Sequence, residues 1–567
     1  MSSPRSASRA SNPAPSSPRH RSALDAIAEH HLEATLVLQP GVALSLGAPD
    51  IAPGLGDHSP AGLAAVADVA RTTLAAVDAA VRAEGVLDDV DRVTAAALTE
   101  RLGLEVALHD AGETLGSLNV IASPVQELRM IFDLVATETE QDWADVAERL
   151  AAVPTAVAGY VESLRTGAAA GRVAPLRQVE ACAIEAESYA APDGFFATFS
   201  AGHGDAAERG GSAAARAYGE LAQFLRTELR PQAPTADAVG IERYRLFSAY
   251  HVGAEIDLPE TYAWGLEEVA RLRSEMAVVA QEITGATPDL AAAIAALDAD
   301  PGNRIAGAEN FRAWMQDRSD ATVEALAGTH FDIPEQIRRL ECRIAPTTSG
   351  GVYYSGPSED FRRPGRMWWA VPPGQSEFST WQEATTVHHE GVPGHHLQIG
   401  QTAVRSEVLN RWRRSQISLV SGHCEGWALY AERLMHSLGF LHTPGEVLGM
   451  LDGQLLRAGR VVLDIGIHCG FEAPAEVGGG SWTYAKAWEF LTSVSSWHRD
   501  QLRFELDRYL GWPGQAPSYK VGERLWTSVR AEVEAREGAA FDVVAFHRRA
   551  LDLGSVGLDV LRDALLP

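Results

Sequence analysis

Helical periodicity constrains this chain more than any other feature. Residues 62–84, GLAAVADVARTTLAAVDAAVRAE, set Leu63, Val66, Val69, Ala70 and Leu74 on one face, and the pattern stops at Gly85. Similar stretches recur at about 89–110, 141–166, 211–229, 259–284 and 319–328, then again at 381–391, 416–438, 444–469, 482–497 and 521–535. The segments between them, such as LRPQAPTAD and DADPGNR, are rich in turn formers. No fixed period relates one helix to the next, which disfavours a solenoid.

The texture changes at 343–372, RIAPTTSGGVYYSGPSEDFRRPGRMWWAVP. Here β-branched and aromatic runs are separated by Gly, Ser and Pro, which predicts a short strand, a loop and a second strand. VGGGSW and YLGWPGQAPSYKVG read as loops. The expected fold is mainly α, with one small β-sheet beside a histidine-bearing helix.

At 567 residues the chain can hold several domains or one large one. Residues 1–21, Ser/Pro/Arg-rich with no acidic residue and no apolar stretch, read as a disordered tail and not as a secretory signal. Residues 22–340 form an N-terminal helical region and 341–567 a second region, the two packed as one unit. Acidic residues outnumber basic ones 75 to 48, a formal charge of −27, which argues against nucleic acid or an anionic membrane as partner. No stretch offers the ~18 consecutive apolar residues of a membrane span. The four cysteines, Cys182, Cys342, Cys424 and Cys469, lack CxxC spacing and suit free thiols in a reducing compartment, so a cytoplasmic location is expected.

The stretch with most chemistry is VHHEGVPGHHLQ, residues 387–398. It opens like HExxH, in which two histidines one helical turn apart hold a metal, but Pro393 stands where the second histidine belongs. On a regular helix His389 and His395, six apart, differ by about 600° of rotation, and His389 and His396 by ~10 Å along the axis. Neither pair could share an ion. Pro393 removes a backbone donor and Gly394 tolerates unusual dihedrals, so together they can bulge or break the helix and swing the next turn back toward His389. About thirty residues on, GHCEGWALYAERL carries Glu425 at the head of an amphipathic helix, with Glu432 two turns later. Two histidines, a glutamate from a following helix and an open position for water are a zinc-hydrolase ligand set. Glu390, next to the first histidine, is then the natural general base, while His388 reads as a structural histidine.

The blocks HEGVPGHHLQ, CEGWALYAERL, RAGRVVLDIGIH and WPGQAPSYKVGE, in that order, resemble the signature of a bacterial family, domain-of-unknown-function family 885, related to gluzincin metallopeptidases. GPSEDFRRPGRMWWAVP resembles a further block, and LDAIAEHHLEATLVLQPGVALSLG the family's N-terminal helix, so the likeness spans about residues 22–565. It implies a large helical zincin-like fold, similar to oligopeptidases and carboxypeptidases that enclose the motif in a cleft. It implies one zinc ion (Zn2+) per chain on His389, His395 and Glu425, with His396 as the other choice for the second histidine, and Glu390 as base. The sequence departs from the family pattern at Cys424 and at EDF before the Arg-Pro-Gly block, which bears on substrate preference more than on the metal.

Hydrolysis of an amide develops an oxyanion, and Tyr519 and His468 are candidate donors to it. His468 at a helix end also reads as a helix-terminal cation, and Asp464 as its orienting partner. Arg363, Arg508 and Lys520 are candidate clamps for a substrate carboxylate. The expected function is zinc-dependent hydrolysis of short peptides or related amides. The alternatives are hydrolysis of a nonpeptide amide in secondary metabolism, or an inactive metal-binding scaffold.

Overall fold

A computed structural model of the chain describes residues 19–48, 53–285, 288–345 and 351–566. The tail expected over 1–21 lies outside them except for its last three residues. Those are tied down: Arg19 pairs with Asp25 at 2.5 Å, with Asp88 at 2.8 Å and with Asp91.

The chain is mainly helical. Helices form where periodicity predicts them because their ends are chemically marked. Ser59 accepts from Gly62 N and Pro60 opens the helix Pro60–Glu84, which Gly85 ends at a φ of 66°. Asp88 caps Asp89–Asp110. The central helix Pro444–Cys469 starts in a reciprocal capping box between Thr443 and Glu446 and stops at Gly470, in the left-handed region. It is buried on nearly every face, so its polar residues must find partners inside the protein.

Several boundaries differ from the sequence reading. The pattern at 319–328 is only the end of Ala308–Leu326, and 416–438 divides into a short turn, Gln416–Ser418, and the helix Ser421–Ser437. The loop expected over 509–522 shrinks to its middle, because Arg499–Gly511 and Ser518–Glu537 enter it from both sides. Helices that the periodicity did not mark are also present, among them Leu176–Ala190, Ile241–Val252 and Val543–Asp552.

The single small sheet becomes two. Strand β1 (Arg304–Ala306) pairs antiparallel with β5 (Glu377–Ser379). Strands β2 (Leu340–Ile344), β4 (Gly365–Trp369) and β3 (Val352–Ser355) form a second sheet in that order, with β2 parallel and β3 antiparallel to β4. This sheet lies against the helix His395–Val404: a Cβ on Gly365 would come within 2.5 Å of His396 Nδ1.

The largest apolar core runs from Leu24 to Leu561 and joins residues on both sides of position 340. A second core, from Leu55 to Leu229, belongs to the N-terminal helices alone. Beside the site, Ser421–Ser437 and Ser518–Glu537 cross at glycines. A Cβ on Gly426 would lie 2.4 Å from the Gly522 carbonyl carbon, and one on Gly522 would lie 2.1 Å from the Gly422 carbonyl oxygen. That contact is closer than any larger residue permits, and it fixes the helix that carries Glu425.

Candidate metal centre

The histidine motif is a broken helix and not a bulged one. Thr380–Glu390 ends directly after His389-Glu390, four residues turn the chain, and His395–Val404 begins at His395. The Val392–Pro393 peptide is cis. Gly394 packs so tightly on the preceding helix that a Cβ there would sit 1.9 Å from the His389 carbonyl oxygen and 2.5 Å from that of His388. Trp427 Nε1 donates to the Pro393 carbonyl at 2.8 Å and pins the turn.

The break brings His389 and His395 edge to face, with ring centroids 4.8 Å apart. Ligand atoms of His389, Glu390 and His395 all lie within 4.8 Å of one another. Glu425 Oε2 stands 3.3 Å from His389 Nε2 and 3.5 Å from His395 Nε2. Ligands about 2.0–2.1 Å from a tetrahedral ion are ~3.3–3.4 Å from each other, so such an ion would fit these separations.

The far nitrogen of each ring is engaged elsewhere. His389 Nδ1 lies 2.7 Å from Glu432 Oε1, so Nδ1 carries a proton and Nε2 is the nitrogen turned toward the cluster. His395 Nδ1 lies 3.3 Å from Cys424 Sγ, which turns its Nε2 toward Glu425. Glu425 and Glu432 are seven apart on one helix and so face the same way, holding His389 between them.

Electrostatics reinforce the cluster. Burial opposes the charge on Glu425, but His395 and His389 outweigh it and hold its pKa well below the usual carboxylate range. Burial raises the pKa of Glu390. Oε2 of Glu390 and Oε2 of Glu425 are buried and accept no hydrogen bond among the described residues. Such orphaned acceptors are expensive in a protein interior, and a bound cation would satisfy them. The Glu425 side chain is 20% exposed and marks the open side of the cluster.

His396 is excluded as a ligand, because both its nitrogens are used. Nε2–H donates to the Ile337 carbonyl at 2.7 Å, and Nδ1 accepts from the Tyr354 hydroxyl at 2.9 Å. His388 is buried, with burial lowering its pKa to about 3, and its Nδ1 lies 3.4 Å from the Val392 carbonyl.

The supporting candidates fare unequally. His468 does not join the cluster. It is fully buried, its Nε2 donates to the Tyr509 carbonyl at 3.0 Å, and its ring stacks on Tyr244. Its position on the central helix is ~21 Å along the axis from Gln454, the residue of that helix which touches Glu432. Burial lowers its pKa to about 4, so it is not a helix-terminal cation either. Asp464 does not orient it: that carboxyl accepts from the Tyr244 hydroxyl at 2.6 Å and from Gly514 N at 2.9 Å.

Lys520 is no free clamp. It is 2% exposed, donates to Gln454 Oε1 at 2.5 Å, and pairs with Glu523 and with Glu268, the latter at 3.0 Å. Gln454 in turn donates to Glu432 Oε2 at 3.4 Å, so Lys520 ends an internal chain leading back to His389. Arg508 is also committed, to Glu505 at 3.1 Å and Gln515 at 2.5 Å.

Tyr519 lies in the first turn of Ser518–Glu537 and not in a loop, beneath the Arg460 guanidinium 4.8 Å away. Ser421 Oγ, one turn before Glu425, is 2.8 Å from Ser518 Oγ, which places Tyr519 at the same end of that helix as Glu425. Arg363 is half-buried, forms no ion pair within 4.0 Å among the described residues, and lies near Tyr354. Sequence reasoning missed the roles of Glu432, Cys424 and Tyr354. The seven-residue spacing of Glu425 and Glu432 could have revealed the first.

Residues 40–565 match the model of a family described as a bacterial protein of unknown function (DUF885). No curated protein matches the chain. Solved structures similar to it include two whose titles read "putative lipoprotein". One is titled as the "putative lipoprotein" from Colwellia psychrerythraea, at 20% identity and a TM-score of 0.82, covering 96% of this chain and 98% of that one. The other is titled as a "putative lipoprotein of unknown function" from Shewanella oneidensis, at 17% identity and a TM-score of 0.71, covering 96% and 100%. At such identities the likeness is one of fold, and it extends over nearly the whole chain. Among the described residues, no helix is long and apolar enough to cross a membrane.

Proposed function

The chain belongs to the bacterial family DUF885, and from the geometry of its buried cluster we propose that it is a zinc-dependent hydrolase of peptide or related amide bonds, akin to the gluzincins. One observation carries this reading: a single carboxylate oxygen, Glu425 Oε2, stands at tetrahedral-edge distance from two imidazole nitrogens whose rings are each fixed from behind. His389, His395 and Glu425 would hold the ion. Zinc bound there supplies Lewis acidity, polarising the scissile carbonyl and making water a better nucleophile.

Glu390 does the proton work. Its carboxylate borders both histidines without lying behind either ring, and burial raises its pKa, as suits a group that must take a proton from water and return it to the leaving nitrogen. Glu432 keeps His389 in the tautomer that presents Nε2. Tyr519, whose hydroxyl bonds to no described residue, is the proposed donor to the oxyanion.

Two measurements on one variant test this. Glu390→Gln should keep one zinc per chain while hydrolysis of a mixed dipeptide pool falls by about 10²-fold or more. Loss of the metal together with activity would make Glu390 a ligand. Hydrolysis unchanged in the variant would remove it from the chemistry.

A further inference from the structure

The central helix Pro444–Cys469 passes behind the metal cluster with three polar residues at successive three-residue steps, Gln454, Arg457 and Arg460. Neighbours at that spacing are adjacent on a helix surface. Gln454 touches the Glu432 arm of His389, and Arg460 lies over Tyr519. Arg457 therefore sits between the metal site and the proposed oxyanion donor.

The other cations on this wall are neutralised within the protein. Lys520 has Glu268 and Glu523. Arg460 and Arg508 share Glu505, at 2.7 Å and 3.1 Å. Arg457 has no such partner: no carboxylate lies within 4.0 Å of it among the described residues. It donates to the Gly453 carbonyl of its own helix at 3.2 Å, and its buried Nε–H has no acceptor. Trp497 walls it on one side, 5.9 Å from the guanidinium. The helix Thr380–Glu390 runs alongside the central helix: Gly449 packs on the Trp381 carbonyl, and Gln454 reaches the glutamate behind His389, so Arg457, the next step along, faces the end that carries Glu390. A half-buried guanidinium with a spare donor is a site for a planar anion, which it binds through two parallel hydrogen bonds.

We infer that Arg457 binds the free carboxylate of the substrate's leaving residue, so that the substrates are short peptides or N-acyl amino acids cleaved at their C-terminal amide. This rests on the hydrolase reading above and narrows it. Glu390 returns its proton to the departing nitrogen, so a cation beside Glu390 lies on the leaving-amine side. An amino acid leaving group carries its carboxylate on the carbon next to that nitrogen. Water adds to the acyl carbon, the C–N bond breaks, and the products are a carboxylic acid and a free amino acid.

The test uses zinc-loaded Glu390→Gln protein, in which turnover is slowed by about 10²-fold or more, and two probes that differ only at one end: hippuryl-phenylalanine and its C-terminal amide. Calorimetry should show the acid binding at least tenfold more tightly than the amide. Adding Arg457→Gln should erase that difference, Arg457→Lys should keep part of it, and Arg363→Gln should leave it intact. Equal binding of acid and amide, binding of neither, or a preference that survives Arg457→Gln would each overturn the assignment. If the acid is bound through Arg457 while unmodified protein hydrolyses no C-terminal amide, the anion site stands and the hydrolase reading fails.

Discussion

His389 shows how few atoms decide this site. Its Nε2 faces Glu425 and its Nδ1 faces Glu432, and the two glutamates come from one face of one helix. Removing the rear contact should loosen the ring without touching the ion. Glu432→Gln is therefore expected to lower zinc affinity about 10–100-fold, read by competition with a chelator, while the fold is kept. Unchanged affinity would mean that Glu432 is only a buried charge that His389 happens to satisfy. His468 offers the contrasting case of a histidine with a purely internal role. Its folded pKa of about 4 lies below the ordinary value, so the unfolded chain binds more protons between the two. The stability it contributes is complete above about pH 6.5 and declines as pH falls toward its folded pKa. His468→Gln should accordingly reduce the slope of the urea midpoint against pH across that window, whatever constant offset the substitution adds. An identical slope in parent and variant would show that the ring titrates alike in the folded and the unfolded chain.

At the scale of elements, the turn between Thr380–Glu390 and His395–Val404 is what brings together two histidines that a regular helix would keep apart. Gly394→Ala would place a methyl group against the His389 carbonyl oxygen, and neither helix can retreat without separating the histidines. We expect a loss of about 1–3 kcal/mol in stability by urea unfolding, together with loss of tight zinc binding. A variant with parental stability and affinity would show that the turn has slack. The sequence made this turn legible, since Pro393 and Gly394 interrupt a helical pattern at the point where the ligand spacing goes wrong. It also made the long capped helices legible, with Asp89–Asp110 and Pro444–Cys469 found at their full extent. His468 was misread for a specific reason. Its surroundings, Tyr244 and Tyr509, sit on Ile241–Val252 and Arg499–Gly511, neither of which shows a clean apolar stripe, so a residue enclosed by both looked like an exposed helix end. Tyr519 was assigned to a loop because Pro517 before it fits a loop as well as the start of a helix.

For the whole molecule, the proposed ligands come from three helices that meet only through tertiary packing, so an ion bound there would link the break at Pro393-Gly394 to the glycine-crossed pair behind it. An ion that binds the folded chain and not the unfolded one stabilises it by mass action, about 2.7 kcal/mol at a hundredfold excess over the Kd. Returning zinc to chelator-treated protein should raise the thermal unfolding midpoint, and Glu425→Ala protein should show no such rise. A response that persists in Glu425→Ala would place the ion elsewhere. The surplus of acidic residues makes that control necessary, since 75 carboxylates offer many weak sites. The most direct test is the ligand set itself, read by X-ray absorption at the zinc edge on protein loaded with one equivalent. Two imidazole nitrogens and oxygen ligands at about 2.0–2.1 Å, with no sulfur, is the result this account predicts. A sulfur scatterer at about 2.3 Å, which would bring Cys424 into the sphere, or a third imidazole would contradict it.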